Sequence, residues 1–424
     1  MKTERKQKWL AVLLAWLPFV LVLNQIASLF GINTRLYFLL AGLGGVFPFL
    51  CHSGNGNKPV YQLMMGFAVY GIFSVVLCAL NEVDLKAWLV DVLVFVLPMG
   101  YFAAGSCEFN TGTHYEKGFW LALSISFLLG FYLYFFAPSW YAHRLAAIWS
   151  GRWYRDTISE FAVLQYSRFS GIFGGSYAIS YFGIAALSMS FCSFVHPSSP
   201  REKKLAGLAL VACWVACILC QQRIAMVCST LIVIGHVGYG AQKTGNMRQL
   251  VAIAVAAVLF SGVAYWVATM TSERVARVGE QLFRRWEAMD FGQAMESRTW
   301  QYRTLMANWN AVVLGHGLGS GGAYARSHGL PGVTDGQYVK VLYEQGLLGV
   351  TWLGVIFICT LVRGLKHFRL FRFELGTIVF FCLAGIASNA LCMNALYSMP
   401  FWYSLGRIWN YAELNVRKTV WTLK

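Results

Sequence analysis

Charge is scarce in this chain. Only 12% of its 424 residues are Asp, Glu, Lys or Arg, whereas a soluble domain carries roughly 25%. That excludes a free-standing water-soluble domain. Nucleic-acid modules interleave basic and aromatic residues in known motifs. None appears here, so nucleic acid is excluded as a partner and the formal net charge of +16 needs another cause. Proline is scarce as well. With only nine prolines and two halves that differ in loop architecture, the paired broken helices and repeats of a transporter are missing. That favours catalysis at one face over alternating access. The eleven cysteines are scattered. Cys213, Cys217 and Cys220 share a helical face, but no His or carboxylate joins them. They read as small buried hydrophobes instead of a metal site. No cofactor or metal is expected.

What is abundant is apolar surface, at 58% of residues. Runs near the roughly 20 residues needed to cross a bilayer recur along the chain. Hydrocarbon satisfies no backbone group, so each run must be a helix. The sequence therefore reads as an all-α integral membrane protein of about twelve transmembrane helices. The expected spans lie near 9–30, 36–51, 60–80, 86–106, 118–137, 176–195, 205–222, 224–240, 249–270, 340–362, 375–394 and 398–413. The first run, from Trp9 to about Phe30, exceeds the roughly 7–15-residue core of a signal peptide and reads as an anchor. The last is interrupted by Met399-Pro400 and Arg407 and is expected to be short or interfacial.

Orientation follows from the short loops. Lys58; Arg201, Lys203 and Lys204; Lys243 and Arg248; and Arg363, Lys366, Arg369 and Arg372 all fall on one side with both termini. Cytoplasmic loops favour Lys and Arg, so that side is cytoplasmic. The chain divides into N-terminal helices (1–137), a first outer loop (138–175), central helices (176–270), a large outer loop (271–339) and C-terminal helices (340–424). Loops this long are usually functional. In the first, Leu145, Ile148, Trp149 and Trp153 alternate with Arg144, Arg152 and Arg155, as in a helix resting on a membrane.

Several polar residues stand out on the outer side. Arg223, in Gln221-Gln-Arg-Ile-Ala225, sits in a tight turn between two apolar runs. It reads either as snorkelling or as part of a substrate path. Arg298 and Arg303 share one charged stretch, where Glu296 is an alternative salt-bridge partner. Arg168 precedes Phe169-Ser-Gly-Ile-Phe-Gly-Gly175 and is either an interfacial anchor or a third anion donor. Arginine pairs bidentately with phosphate oxygens. Gly315 to Gly322 lacks the Lys-Ser/Thr ending of a P-loop and reads as a close-packing turn. Asp335 stands where the loop re-enters the membrane. It is either a general base or the N-cap of the next helix. His316 and His328 are rival bases. Glu344 either orients the site or simply accepts hydrogen bonds.

The segments Arg168-Phe-Ser-Gly-Ile-Phe-Gly-Gly175, Gln222-Arg-Ile-Ala225, Ser297-Arg298, Leu314-Gly-His-Gly-Leu-Gly-Ser320 and Asp335-Gly-Gln-Tyr-Val-Lys-Val-Leu-Tyr-Glu-Gln-Gly-Leu-Leu-Gly349 follow one another in order. In this order they resemble the O-antigen polymerase and O-antigen ligase superfamily, over roughly residues 165–355. The resemblance implies a GT-C-like integral membrane glycosyltransferase of the bacterial inner membrane. Its substrate would be an undecaprenyl-pyrophosphate-linked oligosaccharide, transferred without a metal. Membrane lipid and a polysaccharide chain-length regulator are further candidate partners. By the same resemblance Arg223 and Arg298 would hold pyrophosphate, with Arg168 as a third. Arg303, His328, Tyr338 and Glu344 would line the substrate, and Asp335 would serve the acceptor. Ligases place His where this chain has Asp335-Gly336, so the pattern looks more like a polymerase.

Overall fold

The computed structural model describes residues 16–27, 29–30, 58–106, 112–136, 140–141, 168–173, 175–244, 280, 299–307, 312–322, 336–388 and 395–409. All regular structure among them is helical. In chain order the helices are α1 (Trp16–Ala27), α2 (Lys58–Phe73), α3 (Val75–Leu80), α4 (Leu85–Asp91), α5 (Gly100–Ser106) and α6 (Gly112–Phe136). There follow α7 (Ser176–Val195), α8 (Pro200–Leu219), α9 (Arg223–Thr244), α10 (Thr299–Ala307), α11 (Gln337–Lys366), α12 (Phe368–Ala387) and α13 (Ala395–Ile408).

Five stretches among the described residues are long and apolar enough to cross a membrane: Val60–Leu80, Leu85–Ser106, Tyr115–Phe136, Ser176–Val195 and Gln337–Lys366. The protein is an α-helical membrane protein. These five fall on spans expected from hydropathy alone; α8, α9, α12 and α13 overlap four more but are not among the stretches long and apolar enough to cross. The expected spans 36–51 and 249–270 lie outside the described residues, as do the expected amphipathic stretch 144–155 and most of the expected outer loop 271–339.

Local irregularities have local causes. Pro98 has no N–H to offer, so the ladder through Leu85–Ser106 loosens into a π turn at Val92–Val96 and a 3-10 turn at Leu97–Met99. Asp84 caps α4 by accepting from Lys86 N at 2.9 Å, and Ser199 caps α8 by accepting from Glu202 N at 3.2 Å.

The chain forms two compact units. One comprises Met1–Asn24, Thr34–Phe119 and Gly292–Lys424; the other comprises Gln25–Asn33 and Trp120–Phe291. In the first unit α13 is short, at 14 residues, as expected, and it packs inside the protein. Phe401, Trp402, Tyr403 and Leu405 are buried, and Pro400 sits inside a continuous helix. Small residues make room for this packing. A Cβ on Gly105 of α5 would lie 2.2 Å from the Tyr403 carbonyl oxygen, and one on Gly406 would lie 2.2 Å from that of Phe102. The two backbones touch, as helices do in membranes where small residues face each other. Near this crossing Arg407 Nε lies 3.0 Å from Glu116 Oε1, and both residues are buried.

In the second unit α7 is central: 83% of its apolar window is buried, against 28% for Val60–Leu80 in the first unit. It packs on α8 and α9. Cys213 and Cys217 fill this contact as small apolar groups. Gly183 leaves room for the Cys217 sulfur, which would lie 2.6 Å from a Cβ there. Trp120 Nε1 donates to Ser193 Oγ at 3.1 Å and ties α6 to α7.

Candidate functional site

Two polar centres lie at helix ends, one in each unit. In the second unit the segment 168–173 runs against the turn between α8 and α9. Phe169 N donates to the Leu219 carbonyl at 3.0 Å, and Tyr141 Oη donates to the Gly171 carbonyl. Gln221 has φ of 54°, a left-handed conformation that few side-chain-bearing residues adopt. It reverses the chain so sharply that α9 begins at Arg223. Gln222 Nε2 then donates to Ser176 Oγ at 2.9 Å, so the first turns of α7 and α9 start side by side. The N-cap of α7 is Gly175, which makes no side-chain cap.

Arg168 and Arg223 share this end. Arg168 is half-buried. Burial lowers its pKa first; Tyr177 and Cys220 oppose the shift, and the neighbouring Arg223 charge adds to it. Its Nε is buried with no hydrogen-bond partner among the described residues. Arginine does not lose its proton in a protein. The consequence is two like charges beside two helix N-termini, each of which is itself a partial positive charge. Positive charge of this kind attracts anions, and helix N-termini are ready sites for phosphate.

In the first unit the glycine-rich loop docks on α11. His316 N and Gly317 N donate to the Tyr343 and Glu344 carbonyls at 3.0 and 2.8 Å, and Leu347 N donates to the Val312 carbonyl at 2.9 Å. These bonds are available because Gly346, with φ of 66°, kinks α11 and frees its backbone. Gly317 and Gly319 have φ of 96° and 92°. A Cβ on Gly317 would lie 2.4 Å from the Cys78 sulfur, and one on Gly319 would lie 2.5 Å from the Ala87 backbone. Only glycine fits either the conformation or the space.

The loop cradles a carboxylate from its own chain. Gly319 N and Gly321 N donate to Glu344 Oε1 at 3.1 and 3.0 Å. Lys340 Nζ lies 3.4 Å from the same oxygen and makes a close ion pair with Asp91. All three charged residues are buried. Glu344 therefore faces the loop, not solvent, and accepts hydrogen bonds from it.

The other sequence-derived candidates divide as follows. Arg303 is exposed on α10, whose Leu305 clusters with Val312 and with Tyr343 of α11. Tyr338 donates its hydroxyl to the Cys382 carbonyl at 2.8 Å. His316 stacks on Tyr343 with ring centroids 4.2 Å apart, and its Nδ1 lies 3.1 Å from the Tyr343 carbonyl oxygen. The N-cap of α11 is Gly336, so the capping position does not fall on Asp335. Asp335, Arg298 and His328 lie outside the described residues.

Sequence reading missed Asp91, Lys340 and Gln222. Asp91 and Lys340 carried a signal, since a charge inside an apolar span marks a functional or paired residue. Gln222 carried none, because its role depends on where α7 begins. Compared with known proteins, the chain matches no family model and no curated sequence.

Proposed function

We propose that the chain is a glycosyltransferase of the bacterial inner membrane that lengthens undecaprenyl-pyrophosphate-linked oligosaccharides at its periplasmic face. The observation that carries this reading is the meeting of Arg168 and Arg223 with the N-termini of α7 and α9. A pyrophosphate leaving group gathers negative charge as the sugar departs. Fixed cations aimed at that charge lower the barrier without a metal. Arginine suits the role because its planar fork matches two phosphate oxygens at once. The motif order of residues 165–355 supplies the family resemblance behind the substrate.

In the reaction, an acceptor sugar hydroxyl attacks the anomeric carbon of the donor glycan. The bond from that carbon to the pyrophosphate oxygen breaks, and the pyrophosphate keeps the electron pair. The hydroxyl proton passes to a base, for which Asp335 is the sequence-derived candidate. The acceptor is the next lipid-linked unit, as Asp335-Gly336 favours.

The test is purified protein in vesicles with undecaprenyl-pyrophosphate repeat units. A ladder of longer glycans is expected. Arg223→Ala and Arg168→Ala should each lower its formation by about 100-fold or more, as for removal of one donor to a developing oxyanion. Transfer only to a lipid A-core acceptor would make the protein a ligase. Movement of the unit across the membrane with no change in glycan length would make it a transporter. An unchanged ladder in both arginine variants would remove the arginine site.

A further inference from the structure

The donors around Glu344 are those normally offered to a bound anion. Two amide N–H groups from a glycine-rich turn and one ammonium converge on a single oxygen, the pattern of a backbone anion nest. Here the occupant is the protein's own carboxylate. Other bonds fasten the same loop. Leu318 N donates to Ser74 Oγ at 3.1 Å, the Cys78 thiol donates to the Leu318 carbonyl at 3.3 Å, and Ser320 Oγ donates to the Gly317 carbonyl at 2.7 Å. Tyr70 Oη donates to the Gln345 carbonyl at 2.9 Å and reaches the Leu314 carbonyl at 3.2 Å. The loop is thus held from α2, from the α2–α3 junction, from α3 and from α11.

Lys340 joins these parts. It lies in the first turn of α11, bonds Asp91 at the end of α4, and sits one turn before Glu344. Buried ionic groups add little net stability compared with apolar side chains of the same size, yet removal of one partner is severe. Their effect is to admit one geometry and penalise others. An apolar contact would let the loop slide over α11; this one does not.

We propose that Asp91, Lys340 and Glu344 are positioning residues that seat the loop 314–322 and the first two turns of α11 as one body, and that this seating sets the turnover of the glycan transfer without contributing to donor binding. The catalytic half rests on the proposed function. The seating half does not, and it has its own readout.

Cys78 supplies that readout. It is 1% exposed beneath the loop. In membrane vesicles a membrane-impermeant maleimide should label it very slowly, as read by mass spectrometry of its peptide. Glu344→Gln and Lys340→Met should raise that rate by about 100-fold, because the first gives the loop amides a weaker, uncharged acceptor and the second removes the cation between two buried carboxylates, and each lifts the loop. Lys340→Arg, which keeps the charge, should stay close to the parent rate. Slow labelling in folded E344Q and K340M, or equally fast labelling in K340R and K340M, would overturn the proposal. Should the variants fail to fold, the unaltered protein decides. Peptides covering 312–322 should exchange amide hydrogens slowly, and exchange at the rate of an open loop would end the idea. In the elongation assay K340M should lower kcat by about tenfold or more while KM for the donor moves by less than about twofold. A matching rise in KM would assign Lys340 to donor binding. If the unaltered protein elongates nothing, the transferase reading fails while the labelling result still stands or falls alone.

Discussion

The side-chain amide of Gln222 donates to the hydroxyl of Ser176 across 46 residues of chain, at 2.9 Å. This bond aligns the first turns of α7 and α9, and with them the surroundings of Arg168 and Arg223. Gln222→Leu keeps both guanidiniums but releases the alignment. Elongation should fall by about tenfold, the worth of one ordinary hydrogen bond of about 1–1.5 kcal/mol. Arg223→Ala should cost more. Equal losses in the two variants would mean that the tether, and not the charge, is what matters.

Two Gly→Ala changes, one in the glycine loop and one in α11, should have opposite outcomes. Gly317→Ala brings a Cβ to 2.4 Å from the Cys78 sulfur, at φ of 96°. It should destabilise the folded protein by about 2–4 kcal/mol, through strain and overpacking. Gly354→Ala meets nothing within 4 Å in the middle of α11. It should be neutral or stabilise by up to about 1 kcal/mol through helix propensity. Thermal unfolding in detergent, followed by size-exclusion chromatography, separates the two. A Gly317→Ala protein as stable as its parent would contradict the close docking of the loop.

Glu116 and Arg407 should behave as a coupled pair. Their side chains are 3.0 Å apart and nearly fully buried. Glu116→Gln or Arg407→Met alone leaves a buried charge poorly compensated and should cost about 3–5 kcal/mol. The double variant should lose clearly less than the sum of the singles. Additive losses would show that the ion pair does not couple the two.

Tyr338 distinguishes a structural hydroxyl from a substrate contact. Its hydroxyl is donated to the Cys382 carbonyl. Tyr338→Phe should therefore cost about 1 kcal/mol of stability and leave elongation within about twofold at saturating substrate. A drop of tenfold or more in a folded Tyr338→Phe protein would return this residue to the substrate site.

Much of the helix plan was legible in the sequence. Ser176–Val195 lies where the apolar run lies, because crossing a membrane demands only length and apolarity, both of which are local. The last helix, α13, is short as expected, but its burial was not legible in the sequence. Pro400 and Arg407 look disruptive one at a time, yet Gly105 opens a groove for the helix and Glu116 meets the arginine. Neither partner is near in sequence. Among the site residues, Arg168 and Arg223 were visible as arginines on the side where the charge rule predicts few. Their proximity was not visible, since it depends on a left-handed Gln221 and on where α7 starts.

The sequence by itself determined that this is a helical membrane protein, where most of its described helices lie, and which polar residues deserve suspicion. Those properties add up along the chain, one residue at a time. Tertiary structure alone decided that the glycine loop holds Glu344 in its anion nest, that Lys340 pairs with Asp91 from 249 residues away, and that Arg168 stands by Arg223. Pairings of that kind are set by which helix ends meet, and no local pattern of hydropathy encodes them.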